Sequence, residues 1–287
     1  MSVHIPDTVE SAVERLAADP NATILAGGTD LMVEVNDGHR RPGAAVVLVN
    51  RIAELRSWRH DPMTGVLTIG AAVTYRELLD DPIASMSPAL AHASRTVGSP
   101  QIRNAGTLGG NLGTSSPAGD GLPVLVALDA TLELASTVGR RTVPVADFLL
   151  GVKRNAMEPG EMIVSISVPV VDGFQGYAKV GVRNAMVIAV ASACVVLDRP
   201  RRAVAVALGS VGPTILRCPD AEADLAGSLD WDRLMVAAAD LERFGQMVAA
   251  ASRPITDHRS TAEYRRHAVG VLAQRLVRRA SDVEVAA

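Results

Sequence analysis

Residues Ile102 to Asp120 read IRNAGTLGGNLGTSSPAGD: five glycines (Gly106, Gly109, Gly110, Gly113, Gly119), four hydroxyl residues (Thr107, Thr114, Ser115, Ser116) and almost no bulk. Such a run is poorly suited to filling a core. Glycine has no Cβ, so it lets backbone N–H groups approach a ligand and adopt positive φ. Successive N–H groups in such turns form anion-binding concavities. A second stretch of the same character lies upstream, Ile24-Leu25-Ala26-Gly27-Gly28-Thr29-Asp30-Leu31. We read the pair as two loops closing on one extended, phosphate-bearing cofactor. Thr107 and Asn111 bracket Gly109-Gly110, and hydroxyl, amide and backbone donors together suit a pyrophosphate. On that reading a side chain added at Gly109 would occupy the phosphate's space.

Each signal has a plainer counterpart. Thr23-Ile24-Leu25 reads as a short buried strand running into Gly27-Gly28, after which Thr29 and Asp30 open a helix from Leu31 to Val35. Strand, glycine turn and helix N-terminus present N–H groups and the positive dipole end to an anion. A plain β-turn before a capped helix has the same sequence. Asp120 could accept from a ribose hydroxyl or a flavin ring N–H, or cap the following helix, and the residues alone favour the cap. Arg103 fits phosphate neutralisation and a surface position equally.

Composition narrows the class. At 287 residues, 48% hydrophobic and 21% charged, the chain can bury a sizeable core and has room for more than one domain. A net charge of −3 argues against a protein that coats nucleic acid. The arginines near the end (Arg265, Arg266, Arg275, Arg278, Arg279) read as the solvated face of a helix. Aromatic content of 3% gives no series for base stacking. Cys194 and Cys218 have no CxxC partner, so they supply neither an iron–sulfur cluster nor a structural zinc site. They fit a reduced, cytoplasmic protein. The N-terminal residues lack a signal-peptide pattern, and no apolar run approaches the ~20 residues of a membrane span. GTSSPAG is not a GxSxG elbow. GxGxxG and the P-loop pattern are absent, and none of the six histidines (His4, His39, His60, His92, His258, His267) is spaced like a metal pair.

Periodicity and punctuation predict the elements. A helix runs from Val9 to Ala18 behind Asp7 and Thr8, stopped by Asp19-Pro20-Asn21. Turns fall at Asn36-Asp37-Gly38 and Arg41-Pro42-Gly43, with a strand over Ala44 to Val49. Then come a strand from Gly65 to Ile69, a Thr74-capped helix through Leu79, and helices from Pro82 and over Pro88 to Val97. A short helix covers Val124 to Leu128. Ala130 to Ser136 and Arg141 to Val145 pair across Thr137-Val138-Gly139, and Glu161 to Val168 is a strand. Beyond Val171-Asp172-Gly173, three β-rich runs (Tyr177 to Val182, Ile188 to Leu197, Ala203 to Leu208) suggest a three-stranded antiparallel sheet. Helices follow over Pro219 to Ala226, Trp231 to Phe244 or beyond, and Ala262 to Arg279, with Ser281 to Ala287 fraying. The class is α+β. Residues 1–173 form a two-part domain (1–50 and 51–173), and residues 174–287 form a C-terminal domain.

At these residues the chain resembles the FAD-binding medium subunit of the molybdenum hydroxylases, a family that includes carbon monoxide dehydrogenase and the flavin segment of xanthine dehydrogenase. The carriers are LAGGTDLMVE (Leu25 to Glu34), IGAAVTYREL (Ile69 to Leu78), QIRNAGTLGGNLGTSSPAGDGLPVLVALDA (Gln101 to Ala130), EMIVSISVP (Glu161 to Pro169), KVGVR (Lys179 to Arg183) and PITDHRSTAEYRRH (Pro254 to His267). The resemblance spans essentially the whole chain. It implies a two-part FAD-binding domain of the vanillyl-alcohol-oxidase-like (PCMH) type, with a C-terminal part that covers the isoalloxazine and docks on partner subunits.

Carried over, Ile24, Leu25, Ala26, Gly27, Gly28, Thr29, Asp30 and Leu31 would wrap the pyrophosphate. Gly106, Thr107, Gly109, Gly110 and Asn111 would form a second clamp. Asp120 matches a cofactor-binding position, Ile163 an apolar flavin contact and Lys179 a polar one. The resemblance further implies a small iron–sulfur subunit and a large subunit carrying the molybdopterin cofactor, as a dimer of heterotrimers. Electrons would pass from the iron–sulfur clusters through FAD to an external acceptor. Many members carry an acidic and then an aromatic residue where this chain has Met186-Val187, a departure that bears on whether NAD, oxygen or a quinone reaches the flavin. No general base, nucleophile or metal site stands out in the chain, as suits a flavin-bearing relay. A stand-alone flavin oxidase and a flavin-free docking module are the competing readings.

Overall fold

The structure, a computed structural model, describes residues 2–39 and 43–285. Arg41 and Pro42 of the expected turn, and the end of the expected frayed tail at Ala286 and Ala287, lie outside the described residues. The chain forms two compact units, each assembled from three stretches: residues 1–80, 99–115 and 129–169 in the first, and residues 81–98, 116–128 and 170–287 in the second.

In the first unit the helix Val9–Ala18 starts where expected, because the Thr8 hydroxyl accepts from the Ser11 N–H at 3.1 Å. Val9, Ala12, Val13 and Leu16 recur at helical spacing and are buried, which places one apolar face in a core with Val47, Ile52, Leu55, Met162 and Val164. A three-stranded parallel sheet has Ala45–Leu48 at its centre, flanked by Ser2–His4 and Thr23–Leu25. A second, antiparallel sheet has the order Trp58–Asp61, Val66–Gly70, Met162–Pro169, Thr131–Ser136, Gly139–Pro144. Its edge strand Trp58–Asp61 is exposed throughout, so no buried face leaves an alternating pattern to read. A bulge between Ile163 and Ser165 interrupts the central strand, and there the Val164 carbonyl accepts from the Ala71 N–H at 2.9 Å.

The glycine-rich segment is largely helical, contrary to the loop read from its composition. Pro100–Ala105 and Leu108–Thr114 are both helices. The Ser99 hydroxyl accepts from the Ile102 N–H at 3.3 Å and the Thr107 hydroxyl from the Gly110 N–H at 3.0 Å. These caps, with Pro100 in the first turn, offset the poor helix propensity of the glycines.

In the second unit an antiparallel sheet runs Gly173–Val180, Ala191–Asp198, Ala203–Gly209, Leu216–Arg217, so a short fourth strand extends the three that were expected. Ala191 to Leu197 are all buried, as in a strand covered on both faces. Ala191, Ala193, Val195 and Leu197 join a core with Phe244, Val248, Leu272 and Leu276 from the helices Ala238–Ala251 and Ala262–Val285. The expected helix from Trp231 begins only at Ala238. The Asp230 carboxylate first accepts from the N–H groups of Asp232 (3.0 Å) and Arg233 (3.2 Å), which closes a turn instead. The last helix continues to Val285 rather than fraying from Ser281, whose hydroxyl donates to the Leu234 carbonyl at 2.9 Å. Arg265 departs from the solvated face expected of the late arginines: it is 4% exposed.

Candidate functional site

The two stretches that suggested a cofactor site meet in the first unit. Ile24 and Leu25 pair with Val47 and Leu48 and carry the chain into Ala26-Gly27-Gly28. A Cβ on Gly27 would fall 1.8 Å from the Ala105 carbonyl oxygen and 2.5 Å from its carbon. Backbone therefore lies against backbone, and only glycine allows it. Beside it, the Thr29 hydroxyl and the Tyr75 ring flank Gly106. The Thr114 hydroxyl donates to the Asp30 carboxylate at 3.1 Å across 84 residues of sequence. Asp30 makes no side-chain cap for Leu31–Asn36, so its carboxylate ties the stretches together instead. Gly28 has φ +71°, a left-handed turn. No acceptor among the described residues takes the N–H groups of Gly27, Gly28, Thr29, Asp30 and Leu31.

The second stretch is different. Five of its N–H groups are already bonded: Gly106 to Ile102 O (2.7 Å), Leu108 to Val73 O (3.1 Å), Gly109 to Ala71 O (2.9 Å), Gly110 to Thr107 Oγ1 (3.0 Å) and Asn111 to Thr107 O (3.1 Å). What it can offer a ligand is the Thr107 N–H, which has no acceptor among the described residues, and side chains. Thr107 Oγ1 accepts from Gly110 and keeps its own proton to donate. Asn111 Oδ1 is buried with no partner among the described residues, an unsatisfied group of the kind a ligand completes. The space beside Gly109 belongs to Ala71, whose Cβ and O both stand 2.6 Å from an added Cβ. A side chain there would displace Ala71 rather than a phosphate, so the expectation for Gly109 is corrected to one of packing.

Composition gave no hint of a supporting hairpin, Leu149–Gly151 with Arg154–Asn155. The Asn155 amide donates to the Gly113 carbonyl at 2.9 Å, the Lys153 N–H to the Ser115 carbonyl at 3.1 Å, and the Lys153 ammonium pairs with Glu34. Lys153 lies at φ +54°, and turn chemistry in GVKRN was its only sequence signal. Ile163 is buried at the bulge, opposite Leu134. From the same bulge Val164 O holds the Ala71 N–H, and Ala71 O holds Gly109, so the irregular strand sets the height of the glycine helix.

Within the second unit, Asp120 stands at the head of the helix Gly121–Ala127 but makes no cap hydrogen bond, which overturns the favoured capping role. The carboxylate turns inward, 8% exposed, beside Lys179 at 7%. Lys179 Nζ donates to Asp120 Oδ2 at 2.6 Å, Thr96 O at 2.9 Å and Val187 O at 3.1 Å. An ammonium has three protons, and all are engaged. The polar contact expected of Lys179 would therefore run through Asp120. Tyr177 Oη donates to Asp120 Oδ1 at 2.8 Å, and Thr96 Oγ1 to Oδ2 at 3.3 Å. Burial pushes the Asp120 carboxyl above its ordinary value, against the opposing pull of Lys179, Tyr177 and Thr96. Burial, and then the neighbouring Asp120, push the Tyr177 phenol up as well. A buried Tyr usually finds a polar partner, so Tyr177 was a readable signal in a chain with three tyrosines.

Lys179 also anchors the connection 181–190. Arg183 donates to the Met186 carbonyl from Nε (3.1 Å) and Nη2 (2.5 Å), and Met186 sits at φ +50° with its side chain exposed.

Residues 1–171 match the family described as the FAD binding domain in molybdopterin dehydrogenase, and residues 177–280 match the CO dehydrogenase flavoprotein C-terminal domain. The chain is 32% identical over 273 residues to the glyceraldehyde dehydrogenase medium chain of Sulfolobus acidocaldarius, covering 94% of each protein. It is 29% identical over 288 residues to the xanthine dehydrogenase FAD-binding subunit of Escherichia coli O157:H7, covering 96% of this chain and 94% of that one. Its structure resembles carbon monoxide dehydrogenase from Hydrogenophaga pseudoflava with a TM-score of 0.88 and 30% identity, over 98% of this chain and 96% of the other. The chain belongs to the FAD-binding medium subunits of the molybdenum hydroxylases, and it is an oxidoreductase subunit. The α+β class expected from the sequence holds, with an FAD-binding domain and a C-terminal flavoprotein domain.

Proposed function

We propose that this chain is the electron-transfer subunit of a heteromeric molybdenum hydroxylase. It would receive electrons from the iron–sulfur clusters of a small partner subunit and release them to an external acceptor. Substrate oxidation would belong to a large partner subunit with the molybdopterin cofactor. The assembly is proposed as a dimer of heterotrimers in the cytoplasm. Burial pushes the Cys218 thiol up to about 12 and Cys194 higher still; inert, reduced thiols suit that compartment.

One observation carries the cofactor part: at Gly27 and Ala105 two distant stretches lie backbone to backbone, and next to that contact the N–H groups of Gly27 to Leu31 have no acceptor among the described residues. Consecutive free donors around a left-handed glycine suit a diphosphate. The O–H of Thr107 supplies a further donor, and Asn111 Oδ1, an acceptor, would take a ligand hydroxyl or N–H rather than a phosphate oxygen. Asp120, Ile163 and, through Asp120, Lys179 are proposed as the other cofactor contacts. Bound FAD supplies the redox chemistry. The protein's part is to orient it and keep its charge balanced, which requires no acid–base residue. Partner subunits are supported by the family, whose relatives here are medium chains of dehydrogenases.

An absorbance spectrum of the purified chain tests this. Flavin bands near one per chain are expected, bleached by substrate only when both partner subunits are added. Turnover of aldehydes or heterocycles by the isolated chain would make it a stand-alone flavin oxidase. A folded, colourless chain that takes up no FAD would make it a docking module.

A further inference from the structure

The stretch PITDHRSTAEYRRH has no part in the site as described, yet it contains the most buried charge of the second unit's C-terminal region. Arg265 is 4% exposed. Its Nη1 donates to two carbonyls, Val190 O at 2.9 Å and Ser210 O at 3.0 Å, and its Nη2 donates to Asp257 Oδ1 at 2.6 Å. The stretch is folded to deliver that side chain. Asp257 Oδ1 also accepts from the N–H groups of Arg259 (2.8 Å) and Ser260 (3.2 Å), and Thr256 Oγ1 accepts from Ala262 N at 3.0 Å. One guanidinium that donates to both carbonyls, with a carboxylate balancing its charge, ties the two backbone segments to a common rigid fork.

Both carbonyls lead to Asp120. Ser210 lies at φ +62° next to Gly209, and its N–H donates to Pro117 O at 2.8 Å. Pro117 is three residues before Asp120, and Gly119 N closes the intervening turn on Ser116 O at 2.8 Å. Val190 ends the connection 181–190, its N–H donating to Val180 O at 2.8 Å. Three residues earlier, Val187 O is held by Lys179, the ammonium that pairs with Asp120. The circuit therefore closes: Arg265, Ser210, Pro117, Asp120, Lys179, Val187, Val190 and back to Arg265. Two buried cations, each paired with one aspartate, hold the two backbone segments that flank the Asp120 carboxylate.

We infer that Arg265 is a positioning residue for the cofactor: through Ser210 and Val190 it fixes the segments 116–120 and 187–190 that place Asp120. This rests on the proposed function, because Asp120 is a cofactor contact only on that reading. Lysine cannot replace the fork, since one ammonium lacks the planar pair of donors that reaches two carbonyls and a carboxylate together.

The test uses the full chain, with Arg265→Lys, Asp257→Asn and, as a control of similar instability, Val248→Ala in the core of the same unit. Thermal unfolding, FAD affinity and hydrogen exchange by peptide are measured for each. Arg265→Lys is expected to weaken FAD by about tenfold, the size of one lost supporting hydrogen bond. Exchange should rise at 116–120 and 187–190. Asp257→Asn should follow in the same direction, and it decides the matter if Arg265→Lys does not fold. Val248→Ala should unfold earlier with its FAD affinity intact. The proposal is overturned if the Arg265 and Asp257 variants bind FAD as the wild type does, or lose no more than Val248→Ala. Wild-type chain that takes up no FAD overturns the functional reading and this inference with it, whereas flavin-replete wild type beside unaffected variants overturns the inference alone.

Discussion

Replacing Gly27 by alanine puts a methyl carbon 1.8 Å from the Ala105 oxygen, 2.5 Å from its carbonyl carbon and 3.1 Å from Gly106 Cα. All three are backbone atoms, so no side chain can swing aside. Contacts below 3.0 Å essentially never occur for a real Cβ, so the two stretches must part by roughly 1 Å, and a close-packed interior resists such a shift. Overpacking of this kind costs about 1–3 kcal/mol of stability. A misplacement of about 1 Å in a set of positioned groups can cost about 100-fold in function. The Thr114–Asp30 hydrogen bond, at 3.1 Å, bridges the same seam and should break with it. Urea unfolding and FAD titration of Gly27→Ala measure both effects. The control is Gly227→Ala, in the helix Pro219–Ser228, where nothing lies within 4 Å of the added carbon. There alanine should stabilise by about 0.5–1 kcal/mol and leave FAD binding alone. Gly27→Ala with wild-type affinity would refute the reasoning, because it would show that the contact of the two stretches has no bearing on the cofactor.

Thr107→Ala should lose the cap of Leu108–Thr114, about 1 kcal/mol, and weaken FAD, while Thr107→Ser keeps both; equal affinity in the two variants would remove Thr107 from the site. Lys179→Met leaves the Asp120 carboxylate buried beside Tyr177 without its cation and should cost about 3–5 kcal/mol in chemical denaturation. Adding Asp120→Asn should recover part of that, and a double variant no better than the single would contradict the pairing. The Arg141 guanidinium, at 2.6 and 2.8 Å from Glu161, holds the Glu161 carboxyl below its ordinary 4.5. Its contribution, roughly 1 kcal/mol after solvent screening of the half-exposed arginine, is therefore full above pH 4.5 and fades as pH falls through the lowered folded value. Stability curves of wild type and Glu161→Gln should run apart at neutral pH and converge in acid; a gap that does not narrow would argue against it.

Legibility in the sequence followed locality. Val9–Ala18 was readable because its cap, its apolar spacing and its stop all lie within a few residues. The same holds for Thr131–Ser136 and Gly139–Pro144, joined by a short turn. Glycine composition points to a loop where the caps point to helix: Ser99-Pro100 and Thr107 mark the two helices of the glycine-rich segment. Asp120 looked like a helix cap because nothing nearby says that Tyr177 and Lys179, 57 and 59 residues on, will draw it inward. Arg265 looked solvated among its neighbours because the carbonyls it reaches belong to residues 75 and 55 positions earlier. The meeting of Gly27 with Ala105 could be anticipated only from the like character of the two stretches, since backbone contact leaves no periodic trace.

The most direct measurement of the central claim is a titration with ADP, which carries the diphosphate without the isoalloxazine, of the flavin-free wild type and Thr107→Ala, followed by hydrogen exchange at Gly27 to Leu31, whose N–H groups have no acceptor among the described residues. We expect Gly27 to Leu31 to gain protection as ADP binds, and to need clearly more ADP in Thr107→Ala than in the wild type. No gain in protection, or one ADP concentration range for both chains, would contradict a diphosphate site built from the pair.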